Sequence, residues 1–256
     1  MCCIAEDAAD FIRQELGRVR RADIETKTLN SLVSYVDKTA EEILVRQLGT
    51  LLPEAAFLTE EGTVEQGEAP WRWIIDPLDG TTNFLHQLPG FAVSIGLQHG
   101  SELVAGVVLE VTRKECFHAW QGGGAYLNGQ PIRVSGTDML SDAVVATGFP
   151  YRDFERLAPY FRAMDSFVRR SRGLRRLGAS AVDLAYLACG RFDAFFEYGL
   201  SPWDVAAGIV IVREAGGQVS DFRGGDDYLF GAEMVAAAPG VFDSVLAVVR
   251  EAHGEG

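Results

Sequence analysis

The stretch Trp73-Ile-Ile-Asp-Pro-Leu-Asp-Gly-Thr-Thr-Asn83 joins an apolar, strand-like run to a compact set of acidic, glycine and hydroxyl residues. Pro77 prevents a helix from continuing through the two aspartates, so we expect Asp76 and Asp79 in a fixed turn. Gly80, directly after them, lets the backbone approach a ligand closely. This short segment is therefore the first candidate for a functional site.

Two carboxylates in a rigid turn can bridge two hard divalent cations such as Mg²⁺, which prefer oxygen ligands, and the Leu78 carbonyl can add another. If a helix begins after Gly80, its free N–H groups form an anion site beside the cations. The alternative is an Asx-type turn whose aspartates only cap a helix. The motif alone leaves both interpretations open.

Two further acidic positions bear on this choice. Glu60 and Glu61 follow a short apolar run, and Asp204 stands at the start of an apolar helix. Each has a simpler explanation, because Asp204 can be an N-cap and the two glutamates can be solvated. Spacing alone does not show that these side chains converge with Asp76 and Asp79.

The pattern of elements changes along the chain. Its first part has helical periodicity over residues 5–20 and 37–48, then apolar strand-like runs that include a predicted hairpin at 91–98 and 103–111. After Gly136, strands and helices alternate. The predicted strands there are 143–147, 175–177, 192–197, 218–221 and 234–238, and the predicted helices are 154–169, 180–188, 204–214 and 241–250. We therefore expect an α+β half over 1–135 and an α/β half over 136–256, packed as one unit.

The chain of 256 residues carries a formal net charge of -13. Such acidity repels nucleic-acid phosphate, so DNA or RNA binding is not expected. It would also repel an anionic substrate unless bound cations supplied local positive charge. The simpler interpretation is that the acidity maintains solubility.

Four cysteines in a chain of this length do not indicate a disulfide framework, and none forms a C-x-x-C pair. No signal peptide and no long apolar span is visible, so we expect a cytoplasmic protein that does not contact a membrane. His99, His118 and His253 are interpreted as surface or core residues.

Three segments together resemble the inositol monophosphatase family of Mg²⁺-dependent, lithium-sensitive phosphatases. Residues 76–84 match its first signature, residues 203–209 with Glu214-Ala-Gly-Gly217 match its second, and the glutamate pair at 60–61 matches its intervening acidic motif. The resemblance covers nearly the whole chain. It implies a layered αβαβα sugar-phosphatase fold, a homodimer, two to three Mg²⁺ ions per site and hydrolysis of a small phosphorylated polyol or sugar, with inositol monophosphate first.

The resemblance also implies a role for each matching position. Metal ligands would be Glu60, Asp76, the Leu78 carbonyl, Asp79 and Asp204, whereas Asp37 and Thr81, with Glu60, would activate the attacking water. Substrate would contact Gly80, Thr81, Ser180, Glu197 and Asp204. Fructose 1,6-bisphosphate, 3′-phosphoadenosine 5′-phosphate and histidinol phosphate are alternative substrates, and a non-catalytic metal-binding regulatory protein is an alternative of another class.

The chain departs from the common family pattern at Ser31, which replaces a carboxylate, and at Thr59, which replaces a glycine. Ser34 keeps a hydroxyl beside Asp37. The basic cluster Arg169–Arg176 could guide an anionic substrate, form a subunit contact, or be solvated at a helix end.

Overall fold

The computed structural model describes residues 1–28, 31–150 and 154–254. Its α-helices are α1 Cys2–Glu15, α2 Tyr35–Leu51, α3 Thr81–Leu85, α4 Leu157–Arg170, α5 Ser180–Ala188, α6 Pro202–Glu214 and α7 Pro239–His253. Its strands are β1 Ile24–Thr28, β2 Ser31–Ser34, β3 Ala56–Thr59, β4 Trp71–Asp79, β5 Ala92–His99, β6 Glu102–Glu110, β7 Glu115–Trp120, β8 Gly124–Leu127, β9 Gln130–Ile132, β10 Val144–Thr147, β11 Gly173–Arg175, β12 Ala194–Tyr198, β13 Gln218–Ser220 and β14 Glu233–Ala237.

Two large sheets organise the molecule. One has seven strands in the order β3-β4-β5-β6-β7-β8-β9 and is antiparallel except for the parallel β3–β4 pair. The other has five strands in the order β11-β10-β12-β14-β13 and mixes parallel and antiparallel pairs. The predicted hairpin is confirmed as β5–β6. The sheets lie on either side of residue 135 in sequence, and we propose that position as the boundary between the halves.

The helices form three layers around the sheets. Helices α1 and α2 share one hydrophobic cluster with β4, β5 and β6, and α4 and α7 share another with β10, β12 and β14. Helices α5 and α6 lie in a third cluster that takes residues from both sheets. The predicted αβαβα layering is confirmed, and the central helix layer packs against residues of both sheets.

The central layer packs closely because two strand residues are glycines. A Cβ at Gly96 of β5 would lie 2.8 Å from Cβ of Ala206, and one at Gly106 of β6 would lie 2.5 Å from the carbonyl oxygen of Ala207. Larger side chains would push α6 off the sheet. The first turn of α6, which carries Asp204, is thereby held against the seven-stranded sheet.

Some predicted boundaries were wrong. Helix α1 ends at Glu15 rather than residue 20, because Gly17 adopts a left-handed φ of 76° that terminates helices. The strand expected at 175–177 lies at Gly173–Arg175. The β1–β2 hairpin was not predicted. No helix among the described residues is long and apolar enough to span a membrane.

Candidate active site

The end of β4 departs from the predicted turn. The strand continues through Pro77 to Asp79, and its register against β5 shifts between Asp76 and Asp79. Pro is tolerated at such a bulge, where ladder hydrogen bonds are interrupted. The Oδ1 atom of Asp76 accepts a hydrogen bond of 3.0 Å from the Leu78 N–H. The bulge holds both carboxylates in the core, with exposed fractions of 2% and 8%.

Gly80 turns the chain from β4 into the short helix α3. It has a φ of 89°, and a Cβ there would lie 3.0 Å from the Gly90 carbonyl oxygen and 3.2 Å from Cβ of Ala179. Only glycine fits both the backbone conformation and the space. A helix does begin after Gly80, and Thr81 is its first residue.

Thr81 joins α3 to α2 through a hydrogen bond. Its hydroxyl lies 2.9 Å from Oδ1 of Asp37 and 3.1 Å from the Leu78 carbonyl oxygen. The other oxygen of Asp37 accepts 2.8 Å hydrogen bonds from both the backbone N–H and the hydroxyl of Ser34, the N-cap of α2. This capping box fixes the Asp37 carboxylate toward Thr81. The side chain of Ser31, the other departure nearby, lies outside the described residues.

The glutamate loop after β3 is anchored by a carboxylate that the sequence reading missed. Glu41 of α2, fully buried, accepts hydrogen bonds from the Thr59 hydroxyl, the Glu61 N–H, and both the N–H and hydroxyl of Thr63 at 2.7–2.9 Å. The Glu60 N–H donates to the Ile75 carbonyl oxygen on β4 at 3.3 Å. Glu60 is thereby held beside the strand that carries Asp76.

Asp204 is not the N-cap of α6, which is Ser201. It occupies the third helical position, where its Oδ2 atom accepts a 2.7 Å hydrogen bond from the Ser201 N–H. The Ser180 hydroxyl donates to the Asp204 carbonyl oxygen at 3.5 Å, and the Ala181 N–H donates to Oδ2 of Asp79 at 2.7 Å. The first turns of α5 and α6 therefore meet at the end of β4.

Electrostatics show that the carboxylates form one group. Burial raises the pKa of Asp76 well above its usual range, and the charges of Glu60, Asp79 and Asp204 raise it further. Burial, together with the charges of Asp204 and Glu60, likewise raises the pKa of Asp79. Four carboxylates from three separate segments repel one another here, and such a set of oxygen donors is what hard divalent cations bind.

Glu197 of β12 lies at the edge of this group. Burial raises its pKa, and so do the charges of Asp204 and Asp79. A Cβ at Gly148 would lie 1.8 Å from the Oε1 atom of Glu197, so the Glu197 carboxylate packs against the backbone of Gly148, where no other residue would leave room. Glu197 is 8% exposed, as is Ser180. All the sequence-predicted site residues thus come from elements that meet at one end of β4.

The basic cluster Arg169–Arg176 divides into two kinds of residue. Arg169 pairs with Asp165, and Arg172 pairs with Asp142, both on the surface. Burial raises the pKa of both Asp183 and Glu197, and the charge of Arg176, in contrast to the surface arginines, partly opposes that rise. Its guanidinium carbon lies 5.5 Å from the ring centre of Phe149. Only this end of the cluster borders the carboxylates.

Comparison with known proteins identifies the family. The inositol monophosphatase family matches residues 2–255. The chain belongs to this family. Nus factor SuhB of Pseudomonas aeruginosa is 42% identical over 251 residues, covering 96% of this chain and 93% of that protein. Inositol-1-monophosphatase of Mesorhizobium japonicum is 40% identical over 248 residues, with the same coverage.

A solved structure agrees. The extragenic suppressor protein suhB from Bartonella henselae superposes with a TM-score of 0.92 at 37% identity, covering 97% of this chain and 96% of that one. The inositol monophosphatase family is generally metal-dependent and acts on small phosphorylated substrates. The fold and the family predicted from the three motifs are therefore both confirmed.

Two buried carboxylates that neighbour the site residues, Glu41 and Asp183, were not predicted from the sequence. Glu41 lies four residues after Asp37, on the same face of α2, and this spacing is the signal that could have identified it. Asp183 is the one charge in the apolar helix α5, is 1% exposed, and its Oδ1 atom has no hydrogen-bond partner among the described residues. An acidic residue in an apolar helix is a usable signal.

Proposed function

We propose that this member of the inositol monophosphatase family hydrolyses a small phosphate monoester with Mg²⁺, most favourably an inositol monophosphate. One observation carries the proposal. Buried carboxylates from β4 and the first turn of α6 form one electrostatic group with Glu60. The Thr81 hydroxyl, which contacts Asp37, also contacts the Leu78 carbonyl between Asp76 and Asp79. Mutual repulsion within that group has no structural benefit, and bound cations would relieve it.

The residues that would hold Mg²⁺ are Glu60, Asp76, the Leu78 carbonyl, Asp79 and Asp204. Hard oxygen donors without a thiol or imidazole suit Mg²⁺ rather than Zn²⁺. When bound, two such cations neutralise the phosphate, lower the pKa of a water and stabilise the leaving oxygen. We propose two to three ions per site from the family resemblance.

The protein's own groups would position and deprotonate the water. The Thr81 hydroxyl has one proton, and donating it to Asp37 leaves the Thr81 oxygen free to accept one from water. Burial raises the pKa of Asp37 despite the hydrogen bonds from Ser34 and Thr81, which makes its carboxylate a better proton acceptor. Glu60 would assist from the glutamate loop, and no covalent intermediate is needed.

Substrate would lie between the two halves of the chain. The backbone at Gly80 and Thr81 would face the phosphate, because the missing Cβ at Gly80 allows close approach. Glu197, Asp204 and Ser180 would contact the alcohol portion. A carboxylate such as Glu197 accepts hydrogen bonds from hydroxyls, which favours a polyol over an adenine.

The deciding experiment measures phosphate release from inositol 1-phosphate with Mg²⁺, with excess chelator, and in Asp79→Asn. We expect activity only with Mg²⁺ and a loss of at least about 100-fold in the variant. Asp243→Asn, on the exposed side of α7, is the matched control and should retain activity. Unchanged turnover in Asp79→Asn would contradict the proposed ligand role.

A panel of substrates separates the remaining activities. Inositol 1-phosphate, fructose 1,6-bisphosphate, 3′-phosphoadenosine 5′-phosphate and histidinol phosphate would be compared by kcat/KM, in the native protein and in Glu197→Gln. We expect the variant to lose turnover of the polyol phosphate more than that of the nucleotide. Selective turnover of the nucleotide by the native protein would reverse the proposed order.

A second candidate is a non-catalytic metal-binding regulatory role. The Pseudomonas relative is named a Nus factor rather than an enzyme. The complete carboxylate set argues for catalysis, since a purely regulatory protein has no need of the Thr81–Asp37 pair. Mg²⁺ binding by calorimetry without turnover of any substrate in the panel would favour the second role. We further propose a cytoplasmic homodimer that binds neither nucleic acid nor membrane.

A further inference from the structure

A cluster of sulfur and nitrogen ligands lies away from the carboxylates, between the start of α1 and strand β7. Alternation along β7 turns Phe117 into the central core, so Cys116 and His118 share the opposite face, where Cys116 packs with Cys2 of α1. The Sγ atoms of Cys2 and Cys116 and a ring nitrogen of His118 all lie within 4.8 Å of one another. The interpretation of His118 as an ordinary surface or core residue missed this grouping.

This upper limit of 4.8 Å is compatible with a soft-metal site. Bonds of about 2.3 Å to sulfur and 2.0 Å to nitrogen in a tetrahedron place neighbouring ligand atoms about 3.5 Å apart. Thiolate and imidazole ligands select Zn²⁺ and similar cations over Mg²⁺. The three atoms are therefore close enough for one such cation to draw them together by small side-chain movements.

The histidine supplies an independent observation. The Nδ1 atom of His118 is buried and has no hydrogen-bond partner among the described residues. Buried polar atoms are nearly always paired, so an unpaired ring nitrogen on a histidine that lies beside two thiols points to a missing partner. Its ring is otherwise held by stacking on Tyr126, 5.3 Å between ring centres. A cation bound by the imidazole would supply the partner that the unpaired ring lacks.

The two thiols are not equivalent. The hydrogen bond between them lowers the pKa of Cys2 and raises the pKa of Cys116, and burial opposes deprotonation of both. A thiolate is the form that binds metal. Cys116 would lose its proton on binding, as coordinated thiols do.

We propose that Cys2, Cys116 and His118 form a binding site for a thiophilic divalent cation such as Zn²⁺, with the fourth position open to water. None of the three belongs to the carboxylate group at β4. The bound cation would fasten the beginning of α1 to the seven-stranded sheet. A disulfide between the two cysteines is the competing arrangement, but it uses only the sulfur atoms and leaves Nδ1 of His118 unsatisfied.

The test uses Co²⁺ as a probe, because thiolate coordination gives a charge-transfer absorption that carboxylates do not. Full-length protein, reduced and stripped of metal, is titrated with Co²⁺ in excess Mg²⁺, and Zn²⁺ is then added. We expect the thiolate absorption to saturate at one equivalent and Zn²⁺ to abolish it. Cys2→Ser, Cys116→Ser and His118→Ala should each lose or strongly weaken it, whereas Cys3→Ser, the exposed neighbour, should retain it.

Three outcomes would overturn the proposal: no thiolate absorption in the native protein, the same absorption in Cys116→Ser, or loss of the absorption in Cys3→Ser. A Cys2–Cys116 disulfide that persists under mild reductant, seen as an intact mass lower by two hydrogens, would also overturn it. If Cys116→Ser fails to fold, Cys2→Ser carries the test, since Cys2 lies at the start of α1. Thermal unfolding gives a second readout, because Zn²⁺ should raise the Tm of the native protein and not that of Cys2→Ser.

Discussion

The hydroxyl of Thr81 lies 2.9 Å from Oδ1 of Asp37, although 44 residues separate them in sequence. We expect Thr81→Val and Asp37→Asn each to lower kcat by about 10²- to 10⁴-fold, because each removes one end of the proposed proton path. The measurement is steady-state phosphate release at saturating Mg²⁺. Mg²⁺ affinity should change little, since neither side chain is proposed as a ligand.

The two changes should act as one unit. The double variant is expected to lose little more activity than either single variant, as residues sharing one step do. Thr82→Val, at the exposed next position, is the matched control and should keep native kcat. Additive losses in the double variant would show that Asp37 and Thr81 act separately and would contradict the relay.

Glu41 is expected to position Glu60 through the loop that follows β3. Glu41→Gln replaces one accepting carboxylate oxygen with an amide NH₂ group, which can only donate. That group faces either the Glu61 N–H or the Thr59 and Thr63 donors, so at least one buried hydrogen bond is lost. The free energy of unfolding should fall by about 1–3 kcal/mol. The Mg²⁺ concentration for half-maximal activity should rise about 10- to 100-fold, as for other groups that hold metal ligands in place.

The neighbouring exposed residue offers a control for Glu41. Glu42→Gln removes the same negative charge from the same helix without contacting the loop. It should leave the free energy of unfolding and the Mg²⁺ concentration for half-maximal activity unchanged. A loss of stability in Glu41→Gln with native Mg²⁺ dependence would mean that Glu41 supports the fold alone.

The backbone geometry around Gly80 is set by contacts that are local in sequence. Asp76 binds the N–H two residues on, Thr81 contacts the carbonyl three residues back, and the left-handed turn requires Gly80. Such short-range geometry is encoded in the segment itself. The alternation of strands and helices after Gly136 is also encoded in short segments of sequence, and it predicted the fold class correctly.

What escaped the sequence depends on contacts between distant segments. Glu41 binds groups 18 to 22 residues away, and Cys2 meets Cys116 only because α1 packs on the sheet. Charged and thiol residues on a helix have the same pattern whether they are solvated or buried. The predicted start of α6 at residue 204 was wrong, because the helix begins at Pro202 and Ser201 with Asp204 forms the capping box at its start.

Arg176 is expected to favour the entry of an anionic substrate, unlike the rest of its basic cluster. Arg176→Gln should lower kcat/KM about 3- to 10-fold at low salt, mainly through KM, and the difference should shrink as salt screens the charge. Arg169→Gln breaks only a surface pair with Asp165 and should have no kinetic effect. If Arg176→Gln instead changes the oligomeric mass in solution with native kinetics, the residue serves a subunit contact.

Asp183 should make stability depend on pH. Burial raises its pKa well above 3.8, the charges of Glu197 and Asp79 add to this, and Arg176 opposes it. Between the unfolded and the folded pKa, the native protein therefore holds a proton that the unfolded chain has released, so the Asp183 contribution to stability falls as pH rises. The Asp183→Asn side chain has nearly the same shape but cannot ionise. The free energy of unfolding of this variant should therefore increase relative to that of the native protein as pH rises.

The measurement is urea unfolding at fixed Mg²⁺ from pH 5 to 8. The free-energy difference between Asp183→Asn and the native protein should grow by up to about 1.4 kcal/mol per pH unit until the folded pKa is passed. Asp165→Asn is the control, because its pKa shift has the opposite direction. The hydrogen bond from Arg169 lowers the pKa of Asp165, so any stability that this ion pair contributes is lost only as the pH falls into the acid range. Parallel curves for Asp183→Asn and the native protein would mean that the buried carboxyl of Asp183 stays charged, and that Arg176 compensates its burial fully.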